Sequence, residues 1–310
     1  MKKRRLSYKF SRSVRAVYIL SLSVIVTLLL AFTRYAPDAY VFIRYAWQDN
    51  YLRTVGLHSI TDNNVLFDVA TVFFDLVGIT ELGSYLVAVV AIYILIFYLK
   101  YFHFFAQVSL SRLSLIYTAS LMTYDLNQLR FQLSLLLFLY TFSSSISGAR
   151  FWLLRCLSLL THLLPAIVFY TARFRYLPLL ALPGLVLLME LAGSRFIFYF
   201  TPVEFVPFKV FLLVIPNVIA FLYYKKSRDR NKIAEFAFSF NVLFMIFIAF
   251  NGALAARFLE AGFYLYVIWW CLSSSRSRIL GSIFWVFSLS MLASRLYGGI
   301  SAGSSASFFF

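Results

Sequence analysis

The sequence predicts an all-α, polytopic membrane protein of about 9–11 transmembrane or re-entrant helices, a single domain over residues 1–310. Three observations predict it. The chain is 62% hydrophobic and 13% charged, with a mean hydropathy of +0.83. Its 36 Phe and 21 Tyr exceed what one soluble core needs. Apolar runs near membrane-spanning length recur from Ala16 to Ala293. These runs are continuous rather than alternating, which excludes a β-barrel.

Net charge is +16. Most Lys and Arg lie between apolar runs, so they read as topology signals rather than as a nucleic-acid surface. No zinc spacing or RNA-binding signature accompanies them. Cys156 and Cys271 are far apart and outside any CxxC spacing, and both read as small packing residues. No phosphate-binding loop, nucleophile elbow, HExxH or D-x-D pair is present, so no metal or cofactor is expected.

The basic start, Lys2 to Arg15, precedes Ala16–Thr33. This run lacks a small-x-small cleavage site and reads as a retained first span. Residues 34–81 form an outer loop. Within it Leu66–Val77 carries Asp68 and Asp75 two turns apart, as in a helix lying on the interface. Leu82–Tyr98 returns inward. Leu110–Tyr124 and Leu126–Phe142 are short, about 15–17 residues or roughly 22–25 Å. Between them sits a polar knot, Tyr124-Asp125-Leu126-Asn127-Gln128-Leu129-Arg130-Phe131-Gln132-Leu133-Ser134. Such groups do not face lipid, so the knot is expected to line a cavity at the outer end of a hairpin.

Arg150–Tyr170 holds His162 and Pro165 near its middle. Proline breaks or kinks a helix. The segment therefore crosses once, or re-enters as two half-helices with His162 at the tip. The re-entrant path agrees better with charge. Tyr176–Leu191 then runs outward, 193–209 is a second outer loop, and Val210–Tyr224 returns to the basic cluster Lys225 to Lys232 inside. Ile233–Phe250 leads out to Ala256-Arg257-Phe258, Phe263–Leu272 comes back, and Ile279–Ala293 ends outside. Twenty of the 28 Lys and Arg then fall inside.

This topology gathers Arg34, Asp38, Arg44, Asn127, Gln128, Arg130, His162, Arg195, Tyr199, Arg257 and Glu260 at one membrane face. Ionisable groups at that depth ordinarily have a partner or a ligand. Arginines at helix ends also snorkel to headgroups, His162 could be a packed core histidine, and Asp38 could cap the turn after Pro37. Tyr35, Trp47, Trp269, Trp270 and Trp285 fit an interfacial aromatic belt. Guanidinium forks suit phosphate oxygens. A histidine or carboxylate suits general-base work.

The order Arg34…Asp38-x-Tyr40, Asn127-Gln128-Leu129-Arg130, Thr161-His162-Leu163-Leu164-Pro165-Ala166 and Ala256-Arg257-Phe258 resembles the EpsG / Wzy polysaccharide-polymerase family over roughly Arg34 to Phe258. The chain departs from that pattern in several places. Phe131 stands where Gln is usual, Thr161 replaces Phe, Leu164-Pro165 replace Ser-Ala, and Ala36 stands where Gly is common. The resemblance implies a membrane glycosyltransferase with a GT-C-like architecture, without a metal, in the bacterial inner membrane. It would join undecaprenyl-diphosphate-linked oligosaccharide repeat units at the periplasmic face. Arg130, His162 and Asp38 would be catalytic. Arg34, Tyr40, Arg44, Asn127, Gln128, Arg195, Tyr199 and Arg257 would bind substrate. The lipid bilayer and a chain-length regulator protein are the further partners it allows. An O-antigen ligase, a flippase or transporter of lipid-linked sugars, and a membrane acyltransferase remain as rivals.

Overall fold

The computed structural model describes residues 13–25, 76, 91, 94–95, 98, 108–120, 129–141, 147–161, 168, 207–227, 231–248, 252–273 and 277–301. Every regular element among them is an α-helix: α1 (13–25), α2 (Leu110–Ser120), α3 (Leu129–Tyr140), α4 (Gly148–Thr161), α5 (Pro207–Ser227), α6 (Lys232–Phe247), α7 (Gly252–Leu272) and α8 (Arg278–Ser301). No helix, over its described residues, is long and apolar enough to cross a membrane. The chain divides into two compact units, Met1–Ser114 with Tyr124–His162, and Leu115–Thr123 with Leu163–Phe310.

In the first unit α1 meets the start of α2 through Tyr18 Oη and Ser114 Oγ, 2.7 Å apart. Helices α3 and α4 form an antiparallel hairpin. Ser134 lies opposite Ser158, and four residues further along α3 Phe138 meets Arg155. Helix α3 closes at Thr141, whose N–H and Oγ1 both donate to Phe138 O, at 3.0 and 2.7 Å. That satisfies one of the carbonyls a helix C-terminus leaves bare. Helix α4 opens on Gly148, at φ +62°, with nothing within 4 Å of an added Cβ. Gly148→Ala therefore carries only a backbone penalty, about 1 kcal/mol. A fall of that size in the unfolding midpoint is expected, and an unchanged midpoint would count against the left-handed conformation.

The second unit is built around α7. Residues 258–269 of this helix are all buried, as expected of a helix that is hydrophobic all round. Helix α6 presents Phe236, Phe240, Leu243 and Phe247 at three- and four-residue spacing. Phe240 and Phe247 both meet Phe258 of α7, with ring centroids 6.2 and 5.4 Å apart. On the other side Phe221 of α5 stacks on Phe238 at 4.7 Å and 14°. Burying one such ring is worth about 1.5–3 kcal/mol relative to water.

Local signals start and stop these helices. Asn231 Oδ1 accepts from Ile233 N at 2.9 Å, and Glu235 stands in the first turn of α6. Both satisfy the positive end of the helix. Lys225 and Lys226 complement the last turn of α5.

Several expectations change. Residues 207–209, expected in the second outer loop, belong to α5, which starts at Pro207, because proline suits the first helical position. Arg257 is not in a turn. Helix α7 starts at Gly252 and runs through Ala255-Ala256-Arg257, since alanine favours helix and nothing there breaks it. Trp269 is 1% exposed, a core residue rather than part of a belt. Cys271 is buried as expected, whereas Cys156 is exposed.

Candidate functional site

Arg130 is the second residue of α3. It precedes Ser134 by four residues, one helical turn. Ser134 fixes the register of the hairpin. Its Oγ donates to Ser158 O at 2.8 Å, Ser158 Oγ donates to Ser134 O at 2.9 Å, and the two Oγ atoms are 3.0 Å apart. Both serines are fully buried. A reciprocal pair of this kind brings two helix backbones close, because serine is small and satisfies its own hydroxyl. The hairpin is antiparallel, so the start of α3 and the end of α4 share one end. Helix α4 is described to Thr161, and the next residue in the chain is His162.

The end of the hairpin has a definite electrostatic character. The first turn of α3 carries no acid and one arginine. Its first N–H groups have no intrahelical acceptors, and the helix dipole adds a partial positive charge. Arginine at this end works against the dipole. An anion would be favoured there by the backbone.

Arg155, counted among the inner-face cations by the sequence, is 7% exposed in the structure. Its guanidinium carbon lies 4.0 Å from the centroid of Phe151 and 5.4 Å from that of Phe138. Contact of the cation with the ring faces offsets part of the cost of burying it. The signal was present in the sequence as a charge inside Phe151-Trp152-Leu153-Leu154-Arg155-Cys156-Leu157.

Arg257 is exposed on α7, and Glu260, three residues on, is 2% exposed. Arg130 belongs to the first unit and Arg257 to the second. Arg34, Asp38, Tyr40, Arg44, Asn127, Gln128, His162, Arg195 and Tyr199 lie outside the described residues, as does the interfacial helix over Leu66–Val77. Among the described residues no group of His, Cys, Asp and Glu is placed to hold a metal ion.

Helix α5 contributes a second polar feature. Asn217 is 2% exposed and donates through Nδ2 to Leu213 O at 2.8 Å and to Leu259 O at 3.2 Å. It thus ties α5 to α7. Its Oδ1 and that of Asn241 converge on Gly262, where a Cβ would overlap Asn241 Oδ1 and lie 3.0 Å from Asn217 Oδ1. Glycine there lets three helices approach around two amides.

No family of known proteins, no curated protein and no solved structure matches this chain.

Proposed function

We propose that the chain is a polytopic membrane glycosyltransferase, a polysaccharide polymerase of the EpsG / Wzy kind. It joins undecaprenyl-diphosphate-linked oligosaccharide repeat units at the periplasmic face of the bacterial inner membrane, without a metal. The observation that carries the proposal is the α3–α4 hairpin. Its serine pair sets a register in which Arg130, on α3, is one turn before Ser134, and the chain continues from the end of α4 into His162. An arginine at a helix N-terminus, with a histidine following the neighbouring helix, matches the needs of the reaction. The guanidinium and the N–H groups take up the charge that develops on the diphosphate leaving group. The histidine, or Asp38, orients or deprotonates the acceptor hydroxyl. Arg257, Arg195, Arg34 and Arg44 would add phosphate contacts, and Tyr40, Asn127, Gln128 and Tyr199 sugar contacts.

The membrane part of the proposal is supported by what the helices leave uncovered. On α8, Ile279 is 75% exposed, Val286 61% and Leu289 50%. Ser282, Ser290 and Ala293 complete that exposed stripe, and no charge interrupts it from Ile279 to Ala293. Four turns of uncharged, largely aliphatic exposed surface are disfavoured in water and suited to lipid.

Removing the gene separates the polymerase from its rivals. Cells without the protein are expected to carry acceptors bearing a single repeat unit, seen on a gel as loss of the polymer ladder. A ligase would leave lipid A cores with no repeat unit at all. An unchanged ladder, or bare cores, would sink the polymerase assignment.

A further inference from the structure

The seam between α3 and α4 is uneven along its length. At one level Ser134 and Ser158 face each other, both buried. Each Oγ reaches the carbonyl of the opposite serine, at 2.8 and 2.9 Å, and the two Oγ atoms are 3.0 Å apart. A serine side chain is one carbon and one oxygen long. Bonds of this kind form only where two helix backbones come close, as small residues allow. One turn farther along α3 the seam is filled by large groups instead. Phe138 is buried there, with the guanidinium carbon of Arg155 5.4 Å from its ring centroid. The ring of Phe151, a further turn back along α4, lies 4.0 Å from the same carbon. The separation of packed helices follows the size of the side chains at the contact. The hairpin is therefore pinched at the serines and held wider beyond them.

The pinch lies toward the end where α3 begins. Arg130 is four residues before Ser134, and α4 ends at Thr161, three residues after Ser158. Only about one turn of each helix separates the pinch from that end. A change in spacing at the serines is thus passed directly to Arg130 and to the chain that leaves α4. Reacting groups tolerate little of this: a misplacement of about 1 Å, from a change remote from the chemistry, costs on the order of a hundredfold in rate.

We propose that Ser134 and Ser158 are positioning residues for the transfer reaction assigned above. Their reciprocal bonds set how far Arg130 stands from the end of α4, and so hold the phosphate-binding end of the hairpin at its working spacing. Both serines are sealed between the helices and act through Arg130 rather than on substrate. The proposal rests on the glycosyltransferase reading.

The test uses the full chain, in cells whose own copy of the gene has been removed. It reads the lengths in the polymer ladder, per amount of protein in the membrane, beside the unfolding midpoint in detergent. Ser134→Val removes the hydroxyl and adds bulk at the pinch. Its expected result is a loss on the order of a hundredfold in polymerisation, with the ladder collapsed toward single repeat units. Gly148→Ala lowers stability at the far end of the hairpin, so its ladder should keep the wild-type lengths. This control separates loss of spacing from loss of stability. The double variant Ser134→Cys, Ser158→Cys covers the case in which valine prevents insertion. Its sulfurs replace oxygens that are 3.0 Å apart, so a disulfide needs only a small closure. In membrane vesicles supplied with lipid-linked repeat units, the oxidised pair should give long chains. The reduced pair, with weak thiol donors, should give short ones from the same amount of the same protein. Oxidation that raises the midpoint without lengthening the chains overturns the proposal, as do wild-type lengths from Ser134→Val. A ladder that survives removal of the gene sinks the transferase reading and this proposal together. A ladder lost with the gene but kept by both serine variants sinks only the positioning role.

Discussion

Gly281→Ala is expected to destabilise the second unit by about 2–4 kcal/mol, the largest effect of a single methyl anywhere among the described glycines. A Cβ at position 281 would overlap Trp270 Cζ2 and lie 2.6 Å from its Cη2. A flexible side chain could retreat from such a contact, but Trp270 cannot. Its Nε1 donates to Ser277 O, the same carbonyl that accepts from Gly281 N at 3.2 Å. Its ring meets Phe284 edge-on at 6.2 Å. Moving the indole breaks its hydrogen bond and opens the seam between α7 and α8. Leaving it in place forces the two helices apart. Either outcome costs more than at Gly148, where the space is empty and only backbone strain counts. Position 262 lies between these two. There the overlapping atom is the tip of the half-buried Asn241, which can turn away, while Asn217 is held by two carbonyls. Denaturant or thermal unfolding, with tryptophan emission as the reporter, measures the ranking 281, then 262, then 148. A Gly281→Ala protein with the wild-type midpoint would show that the indole is not packed against this glycine.

The helices were legible because hydrophobic continuity and the polar breaks between runs mark helix and turn directly. Asn231-Lys232 opens α6 where a cap residue meets the apolar run, and Lys225-Lys226 closes α5. Helix ends were missed where a charge imitated a boundary. Arg257 looks like the edge of a span, yet the alanines before it continue the helix and the side chain simply faces outward on α7. The polar knot before Leu129 marked Arg130 as unusual, and the structure sets that arginine in the first turn of a helix. The serine pair was not legible. Ser134 and Ser158 are ordinary small residues until two helices meet in a register no local pattern encodes. The burial of Arg155 was not legible for the same reason: whether a mid-helix arginine is exposed or packs against rings depends on which face of α4 meets Phe138.

Arg130→Ala is expected to abolish the polymer while leaving the protein in the membrane at wild-type stability or slightly above it. The two halves of this prediction have separate causes. In the helix, a cation in the first turn opposes the macrodipole by about 0.3–1 kcal/mol, and alanine has the best intrinsic helix propensity. Removing the arginine therefore relieves α3, which has no acid in that turn to offset the charge. In the proposed reaction, a group that stabilises developing negative charge is worth on the order of a hundred- to a thousandfold in rate. On a gel of surface polysaccharide, that loss collapses the ladder to single repeat units. Arg130→Lys keeps the charge and loses the planar fork, so about a tenfold to hundredfold loss and a shortened ladder are expected. Opposite signs for stability and product are the decisive readout. A structural arginine would lower both together when removed, and a topology signal would change neither the ladder nor the melt but would alter insertion. A normal ladder from Arg130→Ala would remove Arg130 from the site and, with it, the hairpin end as the place where the diphosphate is held.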